Sequence, residues 1–213
     1  VSAFLLNRSS DLEIGKLGEG HYVVTAFVKS NHNYTAAFKT IEFDVIRHNA
    51  TVVINGVENT TYYAGTSFTI NATTNSTGLI NITVNGKSYV VENNENIVIG
   101  QLDVGHYIVT AVVKSNDNYT FAIASVEFTV VKYNATVVID GVVDGSVHNV
   151  SESIVVTVVT NSTGVINLTV DGVEWSGVVQ NNTPITIGNL AYGHHIITAV
   201  VYETENHTMA AKT

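Results

Sequence analysis

Gly20-His-Tyr-Val-Val-Thr-Ala-Phe-Val-Lys-Ser-Asn-His-Asn-Tyr-Thr35 returns 85 residues later as Gly105-His-Tyr-Ile-Val-Thr-Ala-Val-Val-Lys-Ser-Asn-Asp-Asn-Tyr-Thr120. A looser copy opens 88 residues further on, at Gly193-His-His-Ile-Ile-Thr-Ala-Val-Val201. Self-similarity at a fixed period marks an array of supersecondary units that bury their faces by stacking. Other stretches keep nearly the same spacing. Asn49-Ala-Thr-Val-Val-Ile-Asn-Gly-Val57 returns from Asn134 to Val142, and Thr74-Asn-Ser-Thr-Gly78 returns from Thr160 to Gly164.

Working outward, the repeat is made of strands. Ile80, Ile82 and Val84 point one way while Asn81 and Thr83 point the other, the period of two that a strand imposes. No window carries a sustained helical stripe with caps. Asn55-Gly56, Asn85-Gly86, Asp140-Gly141 and Asp171-Gly172 follow alternating runs. Such pairs tolerate positive φ at both central residues of a tight hairpin turn. Some seven strands in about 85 residues match the size of an immunoglobulin-like sandwich. The expected fold class is therefore all-β, with tandem immunoglobulin-like β-sandwich repeats of about 85 residues.

Three domains follow from the phase of the repeat: 1–47 as the C-terminal half of a repeat, 48–132 as a complete repeat, and 133–213 as a repeat lacking its last strand. The complete repeat is expected to carry strands near Thr51–Val57, Ser67–Thr73, Ile80–Val84, Ser88–Val91, Asn96–Ile99, His106–Lys114 and Phe121–Val131. The ends thus read as cuts inside a longer array, or as edges that a neighbouring chain completes by donating a strand. Arg47-His48 and Lys132-Tyr133 join the units without the Gly- or Ser-rich composition of a flexible linker, so stiff joints are expected.

Composition narrows the function classes. Hydrophobic residues make up 45% of the 213 residues and charged ones 13%, enough for a core. Nine Lys and Arg against 18 Asp and Glu leave a formal charge of −9, which disfavours nucleic acid and anionic membrane surfaces. Without cysteine, disulfides and thiolate metal sites are excluded. No apolar stretch is long enough to span a bilayer as a helix.

Leu102-Asp-Val-Gly-His-Tyr-Ile-Val109 resembles the opening of strand F in immunoglobulin-like domains, where a Tyr hydroxyl ties the corner to the backbone. Tyr22 and Tyr107 fill that place and His195 replaces them in the third copy. An aromatic also recurs as Phe4, Tyr89 and Trp175, one core plug per repeat. The Gly-His-Tyr-x-Val-Thr-Ala strands, the Asn-Tyr-Thr turns at Asn33 and Asn118, and the strands ending at Val45 and Val130 are together similar to the repeat regions of archaeal surface proteins. The adhesin-like proteins of methanogens are the notable case. That resemblance implies a long surface-anchored protein, extracellular, with these repeats as stalk or display surface. Its partners would be neighbouring repeats, other copies in a filament, and a cell-surface or carbohydrate ligand that no motif here specifies.

Candidate chemistry is sparse. Asn-x-Ser/Thr sequons occur at Asn7, Asn33, Asn49, Asn59, Asn71, Asn75, Asn81, Asn118, Asn134, Asn149, Asn161, Asn167, Asn181 and Asn206, 14 of 23 asparagines and well above chance. Alternation on a wet strand face explains Asn81, Asn134 and Asn167 without sugar. The turn sequons Asn33, Asn75, Asn118, Asn161 and Asn206 fit that explanation less well, and an extracellular setting makes them glycosylation candidates. His21, His106 and His194 recur at one turn, as a structural position does, and adjacent His194-His195 point to opposite faces, so no metal site is expected. No catalytic or nucleotide-binding motif appears, and an active site is normally built once rather than repeated. No cofactor and no catalysis are expected. The outer face of strand F is apolar for a solvated sheet, with Val23 and Phe27, Ile108 and Val112, and Ile196 and Val200 flanking Thr25, Thr110 and Thr198. Such a stripe favours packing on neighbouring repeats or chains. The expected function is an extracellular structural or adhesive repeat module; the alternative is a subunit of a self-assembling filament, sheath or surface layer.

Overall fold

A computed structural model describes residues 13–213. The chain is all-β and is built as tandem immunoglobulin-like β-sandwich repeats. Two compact units divide it. The first takes the chain as far as Asn55, with Asn71–Glu95 and Val109–Ser125; the second takes Gly56–Ile70, Asn96–Ile108 and Val126–Thr213.

The first unit opens with β1 (Gly20–Val28) and β2 (Ala37–Val45), an antiparallel pair in register from Gly20↔Val45 to Val28↔Ala37. Two strands alone cover little surface. Tyr22 and Val24 are half-buried, while Ile41 and Phe38 are 55% and 75% exposed. Beyond Arg47, β3 (Val52–Asn55) pairs with the second half of β5 (Ser67–Thr74). Between β7 (Lys87–Val91) and β9 (Gly105–Val113) lies β6 (Ile80–Val84), bonded to both. The alternation anticipated for Ile80, Ile82 and Val84 holds, since all three are buried and Asn81 and Thr83 are not. Val52, Ile54, Ala72, Val109, Ala111 and Val113 complete that buried layer.

In the second unit the first half of β5 pairs with β8 (Ile97–Gln101). The short strand β4 (Thr61–Tyr63) pairs parallel with the end of β10 (Ala122–Val131). Phe68 of β5 packs on Phe128 of β10 with ring centroids 5.1 Å apart, and Tyr62 meets both rings edge-on at 5.1 and 5.5 Å. Face-to-face sheets with aromatics between them are the core of a sandwich. Strand order is β3-β5-β8 in one sheet and β4-β10-β9-β6-β7 in the other.

The remainder of the second unit repeats this plan. β11 (Val137–Asp140), β12 (Ser153–Thr160) and β15 (Pro184–Asn189) form one sheet. The other orders β14 (Val173–Glu174), β13 (Ile166–Val170), β16 (Ile197–Val201) and β17 (Ala210–Lys212). Its core is Ile154, Val156, Val158, Leu168, Ala199 and Val201 with their neighbours, and Trp175 packs against the rim. Tyr89 is half-buried with the Lys87 ammonium 5.1 Å above its ring, whereas Phe4 lies outside the described residues.

Two expectations change. Eight strands, not seven, lie between His48 and Lys132, because β4 covers the edge of β10, a pairing too short and too distant to show as periodicity. In the third copy β17 lies beside β16, its Ala210 pairing with Val201. Only two of the four Asn/Asp-Gly pairs make tight hairpins. Asn85-Gly86 and Asp171-Gly172 have positive φ at both residues and join directly paired strands. At Gly56 and Gly141 the chain instead passes under a neighbouring strand. A Cβ at either would stand 2.2 Å from a carbonyl oxygen, of Thr69 and Val155 respectively, so glycine is required by close approach. Among the described residues no helix is long and apolar enough to cross a membrane.

Candidate functional site at the corners and joints

The opening of strand F is held in the same way three times. The Tyr22 hydroxyl donates to the Gly18 carbonyl and the Tyr107 hydroxyl to the Asp103 carbonyl, each at 2.9 Å. Tyr107 also stacks on Phe128, and Tyr22 on Phe43. In the third copy His195 Nε2 sits 2.7 Å from the Ala191 carbonyl, again four residues back. Its Nδ1 is 2.7 Å from the Asp171 carboxylate. A carbonyl and a carboxylate only accept, so satisfying both requires hydrogen on both ring nitrogens, which is the imidazolium form. The bond to the Ala191 carbonyl, and then the bond to Asp171, accordingly raise the His195 pKa above its ordinary value. Asp171 is held below the usual carboxylate range, chiefly by His195 and then by the Ile196 amide. The tyrosine hydroxyl makes one bond at its corner, and the imidazole makes two.

At each joint the linker is hydrogen-bonded into the turn that follows strand F. His48 N–H donates to Asn118 O at 2.8 Å and Thr120 N–H to His48 O at 2.9 Å. Tyr133 N–H donates to Asn206 O at 2.8 Å and Thr208 N–H to Tyr133 O at 2.9 Å. Thr120 Oγ1 accepts from Ala50 N, and Thr208 Oγ1 from Ala135 N, at 3.1 Å in both cases. His48 packs on Tyr119 and Tyr133 on His207 with centroids 5.5 Å apart, and Tyr133 also stacks on Tyr63 at 4.3 Å.

A basic side chain closes each joint. Arg47 pairs with Glu19 at 2.6 Å and reaches the Asn116 carbonyl at 3.5 Å. Lys132 pairs with Glu203 and donates to the Thr204 carbonyl at 2.7 Å. Two open recesses flank the joints, one lined by Lys16, Glu19, Arg47 and Asn116, the other by Gly65, Asp103, Lys132 and Asn206. Among the described residues no group of three or more His, Asp or Glu could hold a metal ion.

The sequon asparagines fall into separate environments, and Asn7 lies outside the described residues. Asn75 accepts from Thr51 N at 2.8 Å and donates to Asn49 O at 3.0 Å. Asn161 accepts from Thr136 N at 2.8 Å and donates to Asn134 O at 3.1 Å. Asn181 holds both the N–H and the carbonyl of Thr160 at 2.9 Å. Asn71 accepts from the Asn55 amide, Asn167 donates to Glu174 and Tyr202, and Asn81 is half-buried with its oxygen enclosed. By contrast Asn33, Asn49, Asn59, Asn118, Asn134, Asn149 and Asn206 are exposed and make no side-chain hydrogen bond among the described residues. The sequon pattern alone does not separate these groups, because what distinguishes them is a partner on another strand.

No protein-family model matches the chain, and no curated protein matches its sequence. Among solved structures it is similar to the fibronectin(III)-like modules of Clostridium thermocellum CbhA. The similarity has 19% identity and a TM-score of 0.33, over 75% of this chain and 90% of that one.

Proposed function

We infer that the chain is an extracellular structural or adhesive repeat module of a cell-surface adhesin-like protein, read as segments 1–47, 48–132 and 133–213 of an array. The observation that supports this most is the double occurrence of one joint. Arg47-His48 and Lys132-Tyr133 each enter the following turn by two main-chain bonds, a threonine hydroxyl and an aromatic contact. A linker whose only task is to tether carries none of these and is rich in Gly or Ser. A joint bonded in this way limits bending, which is what a stalk that projects a binding tip needs.

The module has no catalytic role in this reading. Its partners are neighbouring repeats, and a cell-surface or carbohydrate ligand would meet another part of the molecule. Electron microscopy of the full-length protein from its own cells tests the proposal. Cell-attached extended particles whose length grows with the number of repeats are expected. A compact particle, or one in which these repeats merely flank a catalytic domain, would end the proposal.

A second reading has one observation in its favour. On the outer face of strand F, Val23, Phe27, Ile108 and Ile196 are 48%, 45%, 42% and 46% exposed. The threonine among them pairs across to the next strand in each copy, Thr25 with Thr40, Thr110 with Ser125 and Thr198 with Thr213. A paired, apolar strip suits lateral packing in a filament, sheath or surface layer. Sedimentation of the chain across a wide concentration range separates the readings: a monomer throughout supports the stalk, and concentration-dependent fibres support the assembling subunit.

A further inference from the structure

The turn after strand F contains two asparagines with opposite duties. In the first copy Asn31 Oδ1 accepts the N–H groups of both Asn33 and Tyr34 at 2.9 Å. In the second, Asn116 Oδ1 does the same for Asn118 and Tyr119, also at 2.9 Å. The residue that builds the turn, Asn31 or Asn116, is not a sequon. The residue that stands out from it, Asn33 or Asn118, is one, and its side-chain amide is exposed and makes no hydrogen bond among the described residues.

The corner sequons are the reverse case. At Asn75 and Asn161 one edge of the carboxamide lies along a neighbouring chain segment, the oxygen taking an N–H and the nitrogen giving to a carbonyl. Sugar attachment converts this primary amide to a secondary one. Like a peptide bond, a secondary amide is planar and keeps its remaining N–H anti to the carbonyl. The sugar carbon then occupies the place beside the oxygen, which at these corners is the place of the bond to Asn49 O or Asn134 O. Clamp and glycan compete for one edge.

We propose that Asn33 and Asn118 are N-glycan attachment sites and that Asn75 and Asn161, despite their sequons, are backbone clamps that carry no sugar. This rests on the extracellular reading above. The donor is a sugar activated as a lipid-linked phosphate or diphosphate. The asparagine nitrogen bonds to the anomeric carbon, the bond from that carbon to the phosphate oxygen breaks with its electrons, and the amide gives up one proton to a base. A glycan on Asn118 stands on the turn that receives the Arg47-His48 linker, so it shields that joint from proteases.

The test is mass spectrometry of intact glycopeptides from the native full-length protein, with intact cells first treated with a membrane-impermeant lysine reagent. Sugar on the peptides containing Asn33 and Asn118, and unmodified Asn75 and Asn161, is the expected result. Sugar on Asn75 or Asn161, or bare asparagine at both turns, overturns the proposal. If the turns are bare but the lysines are labelled, the site assignment fails and the extracellular reading stands; if the lysines are also unlabelled, both fail. In the native host, Thr35→Ala removes the sugar at Asn33. Thr163→Ala, which deletes the Asn161 sequon but leaves the clamp, changes no glycan occupancy.

Discussion

Replacing Asn161 by Ala separates a structural amide from a decorative one. The side chain supplies two bonds to the segment entering β11, to Thr136 N at 2.8 Å and Asn134 O at 3.1 Å. A neutral hydrogen bond contributes about 1 kcal/mol net, and Asn161 is exposed, so water partly replaces what is lost. The expected cost is roughly 1–2 kcal/mol, most of it local. The Thr136 amide should show it directly, because its protection depends on that one acceptor. A loss of this size raises the open population about 5- to 30-fold. Hydrogen exchange followed by NMR reads that factor at Thr136, and thermal unfolding reads a midpoint lower by several degrees. Thr163→Ala, which removes the sequon and leaves both Asn161 bonds in place, should leave both unchanged. Asn206→Ala, another sequon without a side-chain bond, is the second control. If Asn161→Ala leaves the exchange of Thr136 unaltered, or if Thr163→Ala costs as much, the clamp reasoning is wrong.

Three other expectations follow from single contacts. The raised pKa of His195 means that its corner contributes stability fully below the ordinary histidine value of about 6.5, and that this is lost as pH rises through the raised value. The depressed Asp171 works in the other direction, its contribution disappearing as pH falls below about 4. Unfolding of the third repeat measured from pH 4 to 9 should show the alkaline decline, and His195→Tyr should remove it; a decline that survives this change would refute the doubly bonded imidazolium. Gly141→Ala forces a methyl group to within 2.2 Å of the Val155 carbonyl at φ +102. It should cost well over 1 kcal/mol, against about 1 kcal/mol for Gly145→Ala, which meets only open space. Equal denaturant midpoints for these two would discount the close approach. Phe128→Ala removes a side chain 3% exposed that touches Phe68, Tyr62 and Tyr107. Its cost should be about 3–5 kcal/mol, and a midpoint close to wild type would mean that this aromatic cluster is not a core.

Some of the site is visible in one dimension and some is not. The Tyr22 and Tyr107 corners are legible because the hydroxyl reaches only four residues back, so the whole device lies inside one quoted stretch. The His195 corner is half legible: the Ala191 contact is local, but the Asp171 contact crosses 24 positions. The joints are hinted at by basic residues that recur at Arg47 and Lys132, yet their partners, Asn116 and Thr204, are about seventy residues away. β4 was missed because three residues are too few for a period, and its pairing with β10 is parallel and remote.

The period, the strand alternation and the two tight Asn-Gly and Asp-Gly hairpins were determined by sequence alone. Each depends on what a residue's neighbours along the chain allow: which face a side chain takes, and whether φ can be positive. Tertiary structure alone decided which asparagines are clamps and which stand free. It also decided why Gly56 and Gly141 are glycines and that a histidine makes both bonds at its corner only when charged. Those outcomes depend on which backbone oxygen or N–H lies across the sheet, and a carboxamide has the same two edges whatever faces it.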